Sequence, residues 1–367
     1  MVKSGDLIYT MVGKLINGDS VRDEFDELGN CSLLPEDVFR AMHRHMKEGG
    51  NPGYMLPYVD KVMNLVHKKL TEYEWDKPQK GTFLFVLIKE NEGLIRALDS
   101  YRTVFKEEGP SDEAKWQEFI SELSKYEVHL QKLENILFPE LEKTDGMFDG
   151  LSMLWGMHDK ARESVRQAAG FTAVEDLKSF NELIGRIFFI FHGLVKKQEL
   201  ILFPLAAAKL GDETMNRMMR QIEQKEGNST ESGALQAEQK KFTGGQDIVP
   251  LDLILGALPF DITFVDENDE VAFFSEGDRI FPRSASVIGR KVQNCHPPKS
   301  LAAVEAILGK FRDNSSSLEE FWIDHHGKKV LIRYIAVRDR QGKYCGTLEI
   351  TQDITGIQKL EGEKRLL

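Results

Sequence analysis

The chain has 367 residues, a formal charge of −11 and an isoelectric point near 5.5. That length exceeds one ordinary core, so two or three domains are expected. The acidic balance, with no Lys/Arg block, argues against nucleic-acid binding, which needs a basic face. Cys31, Cys295 and Cys345 lie in different regions with no CxxC pair. This is a reduced, intracellular inventory, without a disulfide framework or a thiolate zinc site. The N-terminal MVKSGDLIYTMVGKL carries charges inside its apolar pattern, unlike a signal peptide. The greasiest run, IGRIFFIFHGLV at 184–195, is interrupted by Arg186 and His192 and is short of a membrane span. A cytoplasmic protein without nucleic-acid or membrane partners is expected.

Residues 1–76 show only helical periodicity. Leu7, Ile8, Met11, Val12, Leu15 and Ile16 form one apolar stripe, Pro35 opens a second helix, and Val59, Val62, Met63, Val66 and Leu70 mark a last helix over 54–75. This predicts a small all-helical domain, with His67 near its apolar face as a packed histidine. Residues 77–226 read as a second domain. Long helical segments over 83–107, 113–144, 148–168 and 173–210 are joined by short breaks, as in an up-down four-helix bundle, and a further helix covers 212–226. Residues 227–248 are rich in Gly, Ser, Thr, Gln and Lys and read as a flexible linker.

Over 249–367 the period changes to two. Ile262–Asp266 and Val271–Phe274 form a hairpin, a helix follows over 299–312, and strands are expected over 318–324, 328–338 and 343–353. On the middle strand Val330, Ile332, Tyr334 and Ala336 face one side, and Leu331, Arg333, Ile335 and Val337 the other. The result is an α+β domain with an antiparallel sheet covered on one face, ending in a helix over 355–367.

One phrase occurs twice: Glu134-Asn-Ile-Leu-Phe-Pro139 and Glu199-Leu-Ile-Leu-Phe-Pro204. Each reads as a helix that bends or stops at its proline. His129 precedes the first copy and His192 the second, and Trp155-Gly-Met-His158-Asp159 lies between them. Imidazoles and carboxylates from facing helices can bind iron, manganese or zinc. The same residues can equally be hydrogen-bonded core histidines and capping or solvated glutamates. His192 and Glu199 are seven positions apart, about 10 Å along a helix axis, so that pair shares one centre less readily than His129 and Glu134.

On these lines, segment 82–211 resembles the hemerythrin-like HHE cation-binding domains. The resemblance implies His129, Glu134, His158 and Glu199 as iron-ligand positions, with His192 close to the usual register. It departs at the first helix, where Thr82-Phe-Leu-Phe-Val-Leu-Ile-Lys-Glu-Asn91 carries Phe85 and no histidine. The implied site is a single metal, an incomplete di-iron centre or an apolar relic. The whole chain resembles prokaryotic proteins that join an N-terminal helical domain of unknown function, a hemerythrin-like bundle and a C-terminal PAS-like domain. Gly277-Asp-Arg-Ile-Phe-Pro-Arg283, Gly289-Arg-Lys-Val-Gln-Asn-Cys-His-Pro-Pro298 and Gly346-Thr-Leu-Glu-Ile-Thr-Gln-Asp-Ile-Thr355 carry the third part of the match.

A PAS-like domain implies a small ligand or dimerisation. Cys295, His296 and Tyr334 are its candidate ligand residues, against a plain reading of Cys295 and Tyr334 as core. The expected function is a sensor or regulatory protein that binds iron in the bundle for oxygen, redox or nitric-oxide sensing. It would act as a homodimer through the PAS-like domain and pass its signal to an unidentified protein partner. The alternatives are a metal-free interaction scaffold and a metal-dependent oxidase or iron-repair enzyme.

Overall fold

The structure is a computed structural model that describes residues 4–49, 54–108, 113–171, 177–226, 251–277 and 279–363. Two compact units result: Met1–Glu223 with His296–Lys299, and Gln224–Cys295 with Ser300–Leu367. The linker expected over 227–248 lies outside the described residues.

In the first unit, α1 (Ser4–Asn17), α2 (Arg22–Leu28), α3 (Pro35–Glu48) and α4 (Leu56–Leu70) precede the long helices α5 (Phe83–Glu108) and α6 (Glu113–Lys132). The short α7 (Phe138–Glu142) follows, then α8 (Ser152–Ala169), α9 (Leu177–Lys197), α10 (Phe203–Lys209) and α11 (Asp212–Glu226). The stripe read from the sequence is the buried face of α1: Leu7, Ile8, Met11 and Val12. Pro35 occupies the first turn of α3, where its missing N–H costs no hydrogen bond. Helices α1–α4 share one continuous hydrophobic core with the bundle. The approach is close where α4 meets α8, since a Cβ on Gly156 would stand 2.7 Å from Leu56 Cδ1. At one end of the bundle, Phe105, Trp116, Phe119 and Phe180 pack edge-on and tilted at 5.2–5.7 Å. The Trp116 indole N–H there donates to the Ala168 carbonyl at 3.2 Å.

The two prolines do not end their helices. Leu133–Leu137 and Gln198–Leu202 are π-helical turns, after which the chain resumes α-helix as α7 and α10. The Phe138 N–H reaches back to the Leu133 carbonyl, and the Phe203 N–H to the Gln198 carbonyl. A proline in a helix lacks one N–H and its ring crowds the carbonyl four residues back. Widening the preceding turn by one residue relieves both. The repeated phrase is thus a matched pair of wide turns, a feature that often marks functional regions.

The second unit holds α12 (Leu251–Gly256), α13 (Pro298–Arg312) from Ser300 onward, and strands β1 (Asp261–Asp266), β2 (Val271–Phe274), β3 (Leu318–His325), β4 (Lys328–Arg338) and β5 (Tyr344–Asp353). The sheet is antiparallel in the order β2-β1-β5-β4-β3. Its buried face carries Thr263, Val265, Val330, Ile332, Thr347 and Thr351. The alternation expected for β4 holds, and Tyr334 lies on the face of Val330 and Ile332, opposite Glu349. The β3–β4 hairpin turns through His326 and Gly327, both at positive φ (49° and 76°), as a two-residue turn matched to strand twist requires. The helix expected over 355–367 does not form through Glu363. Only a 3₁₀ turn at Ile357–Lys359 is present, in a stretch with Gly356 and Gly362 on either side.

Candidate metal centre

The bundle interior holds two neighbouring polar networks. In the first, α6 places His129 and Tyr126 three residues apart on one face, with rings stacked at 4.4 Å. His129 Nδ1 lies 2.8 Å from Glu90 Oε2 of α5, and its Nε2 lies 2.9 Å from Gln198 Oε1 in the second π-turn. Lys132, one turn on from His129, donates to Glu90 Oε1 at 2.5 Å. The Tyr126 hydroxyl donates to Asn91 Oδ1 at 2.7 Å. Burial pushes the His129 pKa down, against the pull of Glu90. The neutral ring keeps its proton on Nδ1 for Glu90, so Nε2 is an acceptor. Turning the Gln198 amide end over presents its NH₂ to that nitrogen, and this amide nitrogen otherwise has no partner.

In the second network, His158 of α8 donates from Nδ1 to Glu134 Oε1 at 2.8 Å. Arg162, one turn further along α8, places two guanidinium nitrogens on Glu134 at 2.9 and 2.8 Å and two on Glu127 at 2.9 and 3.0 Å. This is fork-to-carboxylate pairing, the strongest protein ion-pair geometry. Burial alone would raise the Glu134 pKa. The hydrogen bonds from His158 and Arg162 outweigh it and hold the carboxyl below its usual range. Glu90 follows the same pattern: burial opposes, and His129 and Lys132 prevail.

Of the candidate ligands, His129 and Glu134 therefore enter different networks, and His158 joins Glu134. The half-buried His192 faces a separate cavity beside Phe188, with burial lowering its pKa. Glu199 is half-buried, and burial raises its pKa against the attraction of Lys77. Sequence reasoning did not pick out Glu90, Lys132, Arg162 or Gln198. The available signal was helical spacing: Lys132 is three residues past His129, and Arg162 four past His158. Phe83 is fully buried and Phe85 half-buried in the first helix. Among the described residues, no group of three or more His, Cys, Asp or Glu side chains is placed to hold a metal ion. The residues present do not fit a di-iron centre, because Arg162 already answers Glu134 and the other candidate ligands His129 and His192 are engaged away from it, His129 with Glu90 and His192 at a separate cavity.

In the second unit, Cys295 is buried with Val265, Val271 and Val287. His296, which falls in the first unit, is half-buried just before α13. Tyr334 packs its ring 6.0 Å from Phe321, and burial raises its pKa. These candidate ligand residues stand in different surroundings.

These networks give the helical unit an acid-sensitive stability. Burial also lowers the His43 pKa. A histidine or carboxylate whose pKa is lower in the folded than in the unfolded chain takes up its proton first when unfolded, so stability falls with pH. The loss begins for His129 and His43 below about pH 6.5, and for Glu90 and Glu134 below about pH 4.3. Urea midpoints followed by far-ultraviolet circular dichroism should hold from pH 7.5 to about pH 6.5 and fall from there to pH 5. A midpoint that holds or rises between about pH 6.5 and pH 5 would contradict the assignment.

Comparison with known proteins agrees with this division. Residues 82–206 match the hemerythrin HHE cation binding domain family, and residues 251–355 match a PAS domain family. The chain thus carries a hemerythrin-type bundle followed by a PAS domain, a pairing consistent with a sensor or regulatory role. No curated protein matches it significantly. Among solved structures, a C-terminal domain from Streptococcus mutans is similar at 35% identity and a TM-score of 0.29, over 30% of this chain and 87% of that one. A sensory box sensor histidine kinase from Vibrio cholerae is similar at 15% identity and a TM-score of 0.23, over 29% and 90% respectively. Among the described residues, no helix is long and apolar enough to cross a membrane.

Proposed function

We propose that the chain is a regulatory protein whose hemerythrin-type bundle is held by protein cations in place of iron, with the PAS domain as its association module. The observation that carries this reading is the Arg162 fork on Glu134 and Glu127. Iron at His129, Glu134, His158, His192 and Glu199 would require that fork to open, and would require His192 to leave its cavity. Homodimerisation through the PAS domain is supported by the outer face of its sheet. Trp322 is 61% exposed there and Leu318 49%, on the face that also carries Leu331 and Ile335. The signal would pass to a protein partner. An oxidase or iron-repair activity has no support in the networks described.

One preparation tests both parts. Full-length protein expressed with ample iron and purified without oxygen should contain clearly substoichiometric iron, with no near-ultraviolet charge-transfer band. The same sample should sediment as a dimer, and Trp322→Glu should shift it toward monomer. One or two irons per chain, lost in His129→Ala/His158→Ala, would overturn the metal-free reading and restore the iron-sensor alternative.

A further inference from the structure

A cavity of about 500 Å³ opens in the first unit between α4, α5 and α9. It is separate from both polar networks. Its floor is apolar, made by Phe105, Phe180, Ile184 and Phe188. Its rim is cationic. Arg102 and Lys196 are exposed there and form no ion pair or hydrogen bond with other described residues. Asp60, the one acidic side chain among the described residues of the lining, is already taken: Lys197 donates to it at 2.5 Å, and that lysine is 5% exposed. Among the described residues, the cavity therefore keeps two positive charges with no ion-pair partner, on a chain whose formal charge is −11.

An apolar pocket of a few hundred cubic ångströms with a small number of convergent polar groups is the usual form of a small-molecule site. The charges at its edge select the ligand's head and the phenylalanines select its body. We propose that this cavity binds a small amphipathic monocarboxylate. Its hydrocarbon part would lie on Phe105, Phe180 and Phe188, and its carboxylate would be held at the rim by Arg102 and Lys196. An uncharged analogue loses the rim contacts. A cationic one meets repulsion there.

Gly185 supplies a clean block. It lines the cavity on α9, and a Cβ built on it meets no atom within 4 Å. A larger side chain at this helical position projects into the space without forcing the backbone, and replacing glycine there favours the helix. Calorimetric titration of the full chain with sodium decanoate should show saturable binding of one molecule per chain. Gly185→Trp should abolish it, and Arg102→Glu/Lys196→Glu should weaken it at least tenfold. Decanol and decyltrimethylammonium should bind at least tenfold more weakly than decanoate. All variants should keep the parent helical circular dichroism, and a variant that does not is replaced by Gly185→Leu or by the Arg102→Glu single change. Absence of saturable decanoate binding, binding undiminished by the Gly185 block, or equal binding of the cationic analogue would overturn the proposal.

Discussion

Arg162→Met is expected to destabilise the helical unit by about 3–5 kcal/mol, the cost of removing one partner from a buried ion pair. The guanidinium is 22% exposed and Glu134 4% exposed, so the carboxylate stranded by the change has little access to water. Glu134 would lose both of its arginine contacts and keep the His158 hydrogen bond, and Glu127 would lose both of its own arginine contacts. Urea unfolding followed by helical ellipticity measures the loss. The double variant Arg162→Met/Glu134→Gln removes the charge together with its partner, and should be more stable than Arg162→Met alone. A single variant within 1 kcal/mol of the parent would show that the fork contributes little.

The second large effect is expected in the PAS sheet. Gly346 in β5 has a φ of +146°, and a Cβ there would stand 2.3 Å from the Val265 carbonyl oxygen and 2.7 Å from Phe264 Cζ. The obstruction is backbone of the paired strand β1, which cannot step aside without breaking the β1–β5 ladder. Gly346→Ala combines a disfavoured backbone conformation with overpacking, a cost of about 3 kcal/mol or more. For a domain of this size that corresponds to a drop of at least about 10 °C in its calorimetric transition. Gly309→Ala in α13 is the control. Its added Cβ meets nothing within 4 Å, and helix propensity favours alanine. Equal transitions for the two variants would refute the steric argument.

Much of this architecture is legible in the residues, because the signals are periodic. The α1 stripe, the breaks between the long helices and the alternation along β4 each state their element directly. The wide turns are not legible in the same way. A π-turn differs from an α-turn by one residue, and the apolar spacing around Ile136 and Ile201 reads much the same either way. Only Pro139 and Pro204 hint at the change. Glu90 and Arg162 were hidden for a different reason. Charged residues on a helix surface are usually solvated, and only the packing of α5, α6 and α8 shows that these two point inward. The terminal stretch misled by composition: Leu360 and the charges after it suit a helix, but Gly356 and Gly362 and the lack of an apolar stripe leave nothing to hold one.

The Arg162 fork also changes what the bundle can respond to. A dissociable ion stabilises a fold in proportion to the logarithm of its free concentration, so a metal-loaded bundle tightens or loosens with supply and with chelators. A cation covalently attached to α8 is present at a fixed effective concentration and has a single charge state. On the metal-free reading proposed above, the bundle's stability would be decoupled from iron availability and from oxidation.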